Sequence, residues 1–390
     1  MSFDETIDWR GKGTSKWDMM ETLFGVSPDD GLAMWVADGD YRAPDFILNA
    51  MQQRLNGAHF GYFADGSAHL EAAAWWMKSQ HGWDANPDHM FTTGGIGNAI
   101  ALTMQGLTND GDHVAIFSPV YHEFRNKIER GNRVVTELPL VIEGGIYRMD
   151  FDRYDELMSG KETALIISSP HNPAGRVWTV EEQRQIAAFC EKHDLLLLCD
   201  EIHHDLIHPG YKHTPMPLAA PEVLPRLIMM TAASKTFSIA GLRTGTITIP
   251  DDALRARFFE FYKRFDIAPN LLGMVATRAA YSPEGAAYVA EKNAYIAENA
   301  RILNAGVNEI PGVTGMPMQS TYLAWVEFGG TGMTRDEIAE RVYKGAKIAA
   351  TPGHTLGLGG ETCMRINLAT SRERVEQAVQ RLQDAFSDLQ

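Results

Sequence analysis

Cysteine is scarce in this sequence: Cys190, Cys199 and Cys363 are the only three in 390 residues. Their odd number and the lack of any CxxC pair argue against a disulfide framework or a paired-thiolate metal site. They predict a reduced, cytoplasmic protein with the cysteines as small core residues. Excess positive charge is also lacking. The formal net charge is −15, which removes nucleic acid and anionic membrane surfaces from the expected partners. No apolar run approaches the ~20 residues that span a bilayer. The N-terminal MSFDETIDWR has no basic region followed by an apolar stretch, so no secretory signal is expected. Internal repeats and low-complexity linkers are missing too. There remains a chain with 45% hydrophobic and 22% charged residues, long enough for two domains and a large buried core.

The middle of the chain alternates short apolar runs with helix-like stretches. The runs are HVAIFSP (113–119), ALIISSP (164–170), LLLLCDE (195–201), LIMMTAAS (227–234) and TGTITIP (244–250). Continuous Ile, Leu and Val, separated by segments such as TVEEQRQIAAFCEKH, predict a mostly parallel sheet covered by helices. Four runs end in chemically loaded clusters: SPVYHEF, SSPHNPAG, CDEIHH and AASKTF. In open α/β sheets ligands bind at the carboxyl ends of strands, so these ends predict one shared site. The last hundred residues mix helices with the strand-like STYLAWVEF and MRINLAT. They predict a smaller α+β domain entered near Pro283–Gly285. The expected division is an N-terminal arm with part of the small domain (1–45), a large domain (46–285) and a C-terminal small domain (286–390).

Individual residues carry two readings each. Lys235, at the end of an apolar strand, is costly to bury charged. It either snorkels to solvent or is a neutral amine bonded to a carbonyl carbon. Ser234 and Arg243 nearby suit a phosphate. Asp200, after five buried residues, either caps a helix after it or pairs with a buried cation. Asn172 sits in an N-P-x-G turn signal, with its amide available as a donor. TTGGIGNAIALTMQGL (92–107) places Gly95, Ile96 and Gly97 at a helix start, where free N–H groups bind phosphate. It follows no clear βαβ unit, so a dinucleotide fingerprint is discounted. Tyr121 either packs or stacks on a planar ring. Arg365, inside an apolar strand, needs an internal salt bridge or a ligand carboxylate. His203, His204, His208 and His213, near Asp200 and Asp205, lack any known metal-ligand spacing, so no metal is expected.

The order SPVY, NPxG, DE and SKTFxxxGLR resembles the fold-type I pyridoxal-phosphate (PLP) superfamily of aminotransferases and related lyases, over nearly the whole chain. More closely, KWD (16–18), MWVADGDYRAP (34–44), HFGYF (59–63), SSPHNPAGR (168–176), CDEIHHDL (199–206), AASKTFSIAGL (232–242) and MRIN (364–367) resemble the MalY/PatB-type cystathionine β-lyase, or C–S lyase, branch. His203 stands where aminotransferases usually carry a tyrosine that contacts the cofactor's phenolic oxygen. The resemblance implies an α/β fold whose large domain holds a seven-stranded, mostly parallel sheet. It also implies a homodimer with a shared site and PLP held by Lys235, with Asp200 at the pyridine nitrogen and Asn172 at the phenolic oxygen. Tyr62 would reach the neighbouring subunit's phosphate, and Asp38, Gly39 and Arg365 would border the substrate. The implied activity is cleavage of cystathionine or S-substituted cysteine. An aminotransferase is the alternative, and a non-catalytic regulator a more distant one. The match begins near residue 9, so no preceding DNA-binding domain is expected. Ala232 replaces a serine frequent in the superfamily, leaving Ser234 or Thr231 for the phosphate. Gly39–Asp40 replaces a frequent Met-Asp pair.

Overall fold

The computed structural model describes residues 3–63 and 66–389. Seven strands form the large sheet: β1 Met90–Thr93, β2 His113–Ser118, β3 Val134–Pro139, β4 Glu162–Ser168, β5 Leu196–Asp200, β6 Leu227–Thr231 and β7 Gly245–Thr248. Their spatial order is β1-β7-β6-β5-β4-β2-β3. All neighbours run parallel except β7, which is antiparallel to both β1 and β6. The five apolar runs supply five of these strands. The remaining two, β1 and β3, are more polar, and they lie at the sheet's edges.

The sheet explains why the runs are continuously apolar. Ala115, Phe117, Leu165, Ile167, Leu197, Cys199, Leu227 and Met229 pack on one face. The alternate residues Val114, Ile116, Ala164, Ile166, Leu198, Ile228 and Met230 pack on the other. With both faces covered, nearly every position of the runs is buried, and each large aliphatic side chain contributes about 1.5–3 kcal/mol. The covering helices include α1 (Ala68–His81), α2 (Ile96–Leu107), α3 (His122–Arg130) and α4 (Val180–Lys192). The α4 start is fixed by a capping box: Thr179 Oγ1 accepts from the Glu182 N–H while Glu182 accepts from the Thr179 N–H.

A second sheet joins β8 (Thr314–Gly315), β9 (Leu323–Glu327), β10 (Thr351–Pro352) and β11 (Cys363–Asn367) in the order β8-β9-β11-β10. It packs against α5 (Pro283–Val307) and α6 (Arg372–Ala385) through a separate apolar cluster that includes Leu303, Ile366 and Leu382. This is the smaller α+β layer expected from the sequence. The N-terminal segment packs on it: Leu32–Ala33 pairs with Ile348–Ala349. Asp40 is buried there, bound by Lys16, Trp17 and Arg374. The aspartate of Gly39–Asp40 is therefore an anchor between the N-terminal segment and α6.

The glycine segment 94–97 follows a strand. That strand is β1, whose partner β7 is antiparallel, so no parallel βαβ unit forms around it.

Candidate active site

Because β2, β4, β5 and β6 are parallel, their carboxyl ends lie along one edge. They deliver Tyr121, Asn172, Asp200, His203, Ser234 and Lys235 to one place. β7 runs the opposite way, so its beginning borders the same edge, and Arg243, just ahead of it, arrives there. Two connected spaces result. An inner one of about 120 Å³ is lined by Gly95, Ile96, Gly97, Asn172, Asp200, His203 and Ser234, among others. An outer one of about 1070 Å³ is bordered by Trp35, Thr351 and Arg365, with Leu23 and Phe24 on one wall and His122, Glu123 and Lys127 on another. Ala37, Gly97, Tyr121, Lys235 and Arg243 line both.

Lys235 Nζ donates to the Ala37 carbonyl at 2.6 Å. Burial lowers its pKa from the ordinary lysine value, partly offset by the charges of Asp38 and Asp200. Asp200 is buried and makes no salt bridge. Its Oδ1 accepts from the Ile202 N–H at 3.0 Å, and burial pushes its carboxyl up to about 7. Such a carboxyl is stabilised by any cationic N–H brought against it. Burial pushes His203 down to about 3, reinforced by Lys235 and Arg365, so it is a neutral imidazole. Its Nδ1 has no partner.

Arg365 is 3% exposed. Its guanidinium donates to Asn172 Oδ1 (3.1 Å), the Trp35 carbonyl (2.9 Å) and Thr351 Oγ1 (3.1 Å), all neutral acceptors. Its Nε is buried without a partner, and burial pushes its pKa down to about 10. Among the described residues no carboxylate pairs with it, so the internal salt bridge is excluded and a charge remains for a ligand. The bond to Arg365 occupies Asn172 Oδ1 and leaves the Nδ2 donor for the inner space.

At the other end, Gly95 caps α2 with φ +94° and ψ 169°, a conformation for which glycine is suited. The N–H groups of a 12-residue helix open beside it. This cradle, the orphaned His203 Nδ1 and the uncompensated Asp200 and Arg365 fit a flat, phosphorylated, basic-nitrogen cofactor with an amino-acid substrate next to it.

Some expectations shift. Neither Asp38 nor Gly39 lines either space; their neighbour Ala37 does. The Gly39 position faces Ser238 and Tyr41 instead. Thr231, the alternative to Ser234, does not line the spaces either. Tyr62 is fully exposed and remote from this chain's own site. Ala37, Trp35 and Thr351 escape sequence reasoning because main-chain acceptors and a lone threonine leave no signature. The segment MWVADGD, which contains Trp35 and Ala37, is the available hint.

A strand-edge lysine, a buried carboxylate and a free arginine around a phosphate-sized glycine cradle define an amino-acid-handling enzyme of the PLP fold class. The sequence profile of "Aminotransferase class I and II" matches residues 34–382, and the chain belongs to that family. Cystathionine beta-lyase PatB of Bacillus subtilis is 35% identical over 99% of this chain and 100% of its own. The structure of cystalysin from Treponema denticola, which contains a pyridoxal 5'-phosphate cofactor, superposes with a TM-score of 0.94 at 31% identity, covering 100% of this chain and 99% of that one. Aromatic-amino-acid aminotransferase 2 of Thermococcus litoralis is 26% identical over 95% of this chain and 94% of its own. No described helix is long and apolar enough to cross a membrane.

Proposed function

We propose that this chain is a PLP-dependent C–S β-lyase that converts cystathionine or an S-substituted L-cysteine to a thiol, pyruvate and ammonia. One observation carries the reading: Lys235 stands at the junction of two spaces, with unpaired Asp200 in the inner and unpaired Arg365 in the outer. The inner space suits the cofactor and the outer one the substrate.

When bound, PLP supplies an aldehyde carbon for amines and a ring that accepts the electron pair left at the substrate's Cα. Lys235 holds it covalently. Once released, the Lys235 amine would take the Cα proton. Asp200 would hold the ring nitrogen and keep it protonated, Asn172 Nδ2 and His203 would take the phenolic oxygen, and Tyr121 would pack on the ring. Gly95, Ile96 and Gly97 N–H groups, Ser234 and Arg243 take the phosphate. Arg365 holds the substrate carboxylate bidentately. The electron pair at Cα then expels the sulfur substituent from Cβ as a thiolate, and water completes the conversion to pyruvate and ammonia. The outer space has room for a large group on sulfur.

The assembly is a homodimer, in which fully exposed Tyr62 reaches the neighbouring subunit's phosphate. The working division is 1–45, 46–285 and 286–390. The cytoplasm is its compartment, in keeping with three buried free cysteines.

The test is purified, PLP-loaded protein given L-cystathionine without a keto acid. Sustained pyruvate and free thiol are expected. No pyruvate, with conversion of the cofactor to an amine form that a keto acid reverses, would make it an aminotransferase instead.

A further inference from the structure

The histidine-rich stretch after Asp200 splits between two sites. His203 enters the inner space of the active site. His204 and Asp205 line a separate cavity of about 350 Å³, where His81, from the end of α1, joins them. The reactive atoms of His81, His204 and Asp205 all lie within 4.8 Å of one another.

The hydrogen bonds fix the state of His204. Its Nδ1 contacts the Glu201 carbonyl, which can only accept, so Nδ1 carries the ring proton. Its other ring nitrogen, Nε2, is turned towards Asp205. That Nε2 is fully buried, has no hydrogen-bond partner, and sits 3.3 Å from Asp205 Oδ1. An unpartnered imidazole nitrogen and a carboxylate oxygen thus face each other in a buried place, an arrangement that a cation between them would stabilise.

We propose that His81, His204 and Asp205 form a binding site for a divalent transition metal such as Zn²⁺, distinct from the cofactor site. Imidazole and carboxylate ligands suit Zn²⁺. Tetrahedral ligands at about 2.0–2.1 Å lie about 3.3 Å apart, which is already the His204–Asp205 separation. His81 Nε2, now 2.7 Å from Asp205 Oδ1, needs to withdraw by about half an ångström to reach the same spacing. Its ring proton then resides on Nδ1. The outer contacts are of the kind metal sites use: a backbone carbonyl orients His204, and Trp76 Nε1 (2.8 Å) and Thr236 Oγ1 (2.8 Å) donate to Asp205. The cavity provides entry and room for a water as fourth ligand. The metal would tie α1 to the segment between Asp200 and His213 and, through Thr236, to the turn that carries Lys235.

The test is calorimetric titration of ZnCl₂ into chelator-treated, PLP-loaded protein, with CoCl₂ absorbance as the coordination readout. Wild type is expected to bind one Zn²⁺ per chain. His204→Ala and His81→Gln are expected to weaken binding at least tenfold while keeping the cofactor's absorbance. His81→Gln decides alone should His204→Ala not fold. No saturable Zn²⁺ binding by wild type, or equal affinity in His81→Gln, overturns the proposal.

Discussion

Lys292, midway along α5, donates to the main-chain carbonyl of Thr236 at 2.7 Å, beneath the turn that carries Lys235. It is fully buried and stands between the rings of Tyr41, Tyr288 and Tyr322, each 5.6–5.9 Å away. A helix of the small layer thereby supports the backbone of the cofactor lysine. Lys292→Met keeps the volume but strands the carbonyl, which costs about 1–3 kcal/mol. Urea denaturation of the PLP-loaded protein measures it.

The same pair has a pH signature. Burial pushes Lys292 down to about 7 from 10.5. Between those values the unfolded chain binds a proton that the folded chain does not, so stability rises with pH across that window. The advantage of wild type over Lys292→Met is expected to grow from pH 7 towards pH 10. Denaturation midpoints across that range check the sign.

Lys235→Ala removes both the covalent attachment and the base. Lyase activity is expected to fall by at least about 10²–10⁴-fold, and the absorbance of the lysine-linked cofactor to disappear. An unchanged spectrum in the variant would displace Lys235 from its role.

Arg365→Lys keeps the charge but loses the planar fork that matches a carboxylate. A loss of about 1.5–3 kcal/mol, roughly 10- to 150-fold, is expected in kcat/KM. Most of it should fall on KM, because the carboxylate is held before and during the reaction. Steady-state kinetics separates the two constants.

Asp200→Asn removes the charge facing the ring nitrogen and is expected to lower kcat by about 10- to 150-fold, the value of a charge-assisted hydrogen bond of about 1.5–3 kcal/mol. In the protein stripped of PLP, the folded-state pKa of about 7 lies above the usual 3.8. Folded protein therefore holds a proton that the unfolded chain has lost. Stability declines as pH rises from 4 to 7, and Asp200→Asn should flatten that decline. Thermal melts of the stripped protein over this range are the measurement.

The spacing of His203, His204 and Asp205 shows no metal pattern because adjacent residues face different sites. His203 turns to the active site, while His204 and Asp205 turn to α1, where His81 lies more than a hundred residues away in sequence. Lys292 is equally hidden: a lysine among EKNAYIAEN reads as a solvated helix face, and only the packing of α5 on the Lys235 turn buries it. Arg365 left two alternatives in the sequence, and its neutral partners in the fold removed one of them.

By itself the sequence determined what is local: which runs are apolar on both faces, and that four of them lead into Tyr121, Asn172, Asp200 or Lys235. Strand period and strand ends are properties of contiguous residues, and parallel strands bring their carboxyl ends to one edge. The tertiary structure decided what meets across distance: the Ala37 carbonyl with Lys235, Asn172 with Arg365, Lys292 with Thr236, and His81 with His204 and Asp205. Those contacts depend on how the two layers and the N-terminal segment pack, and no short-range pattern in the chain encodes that packing.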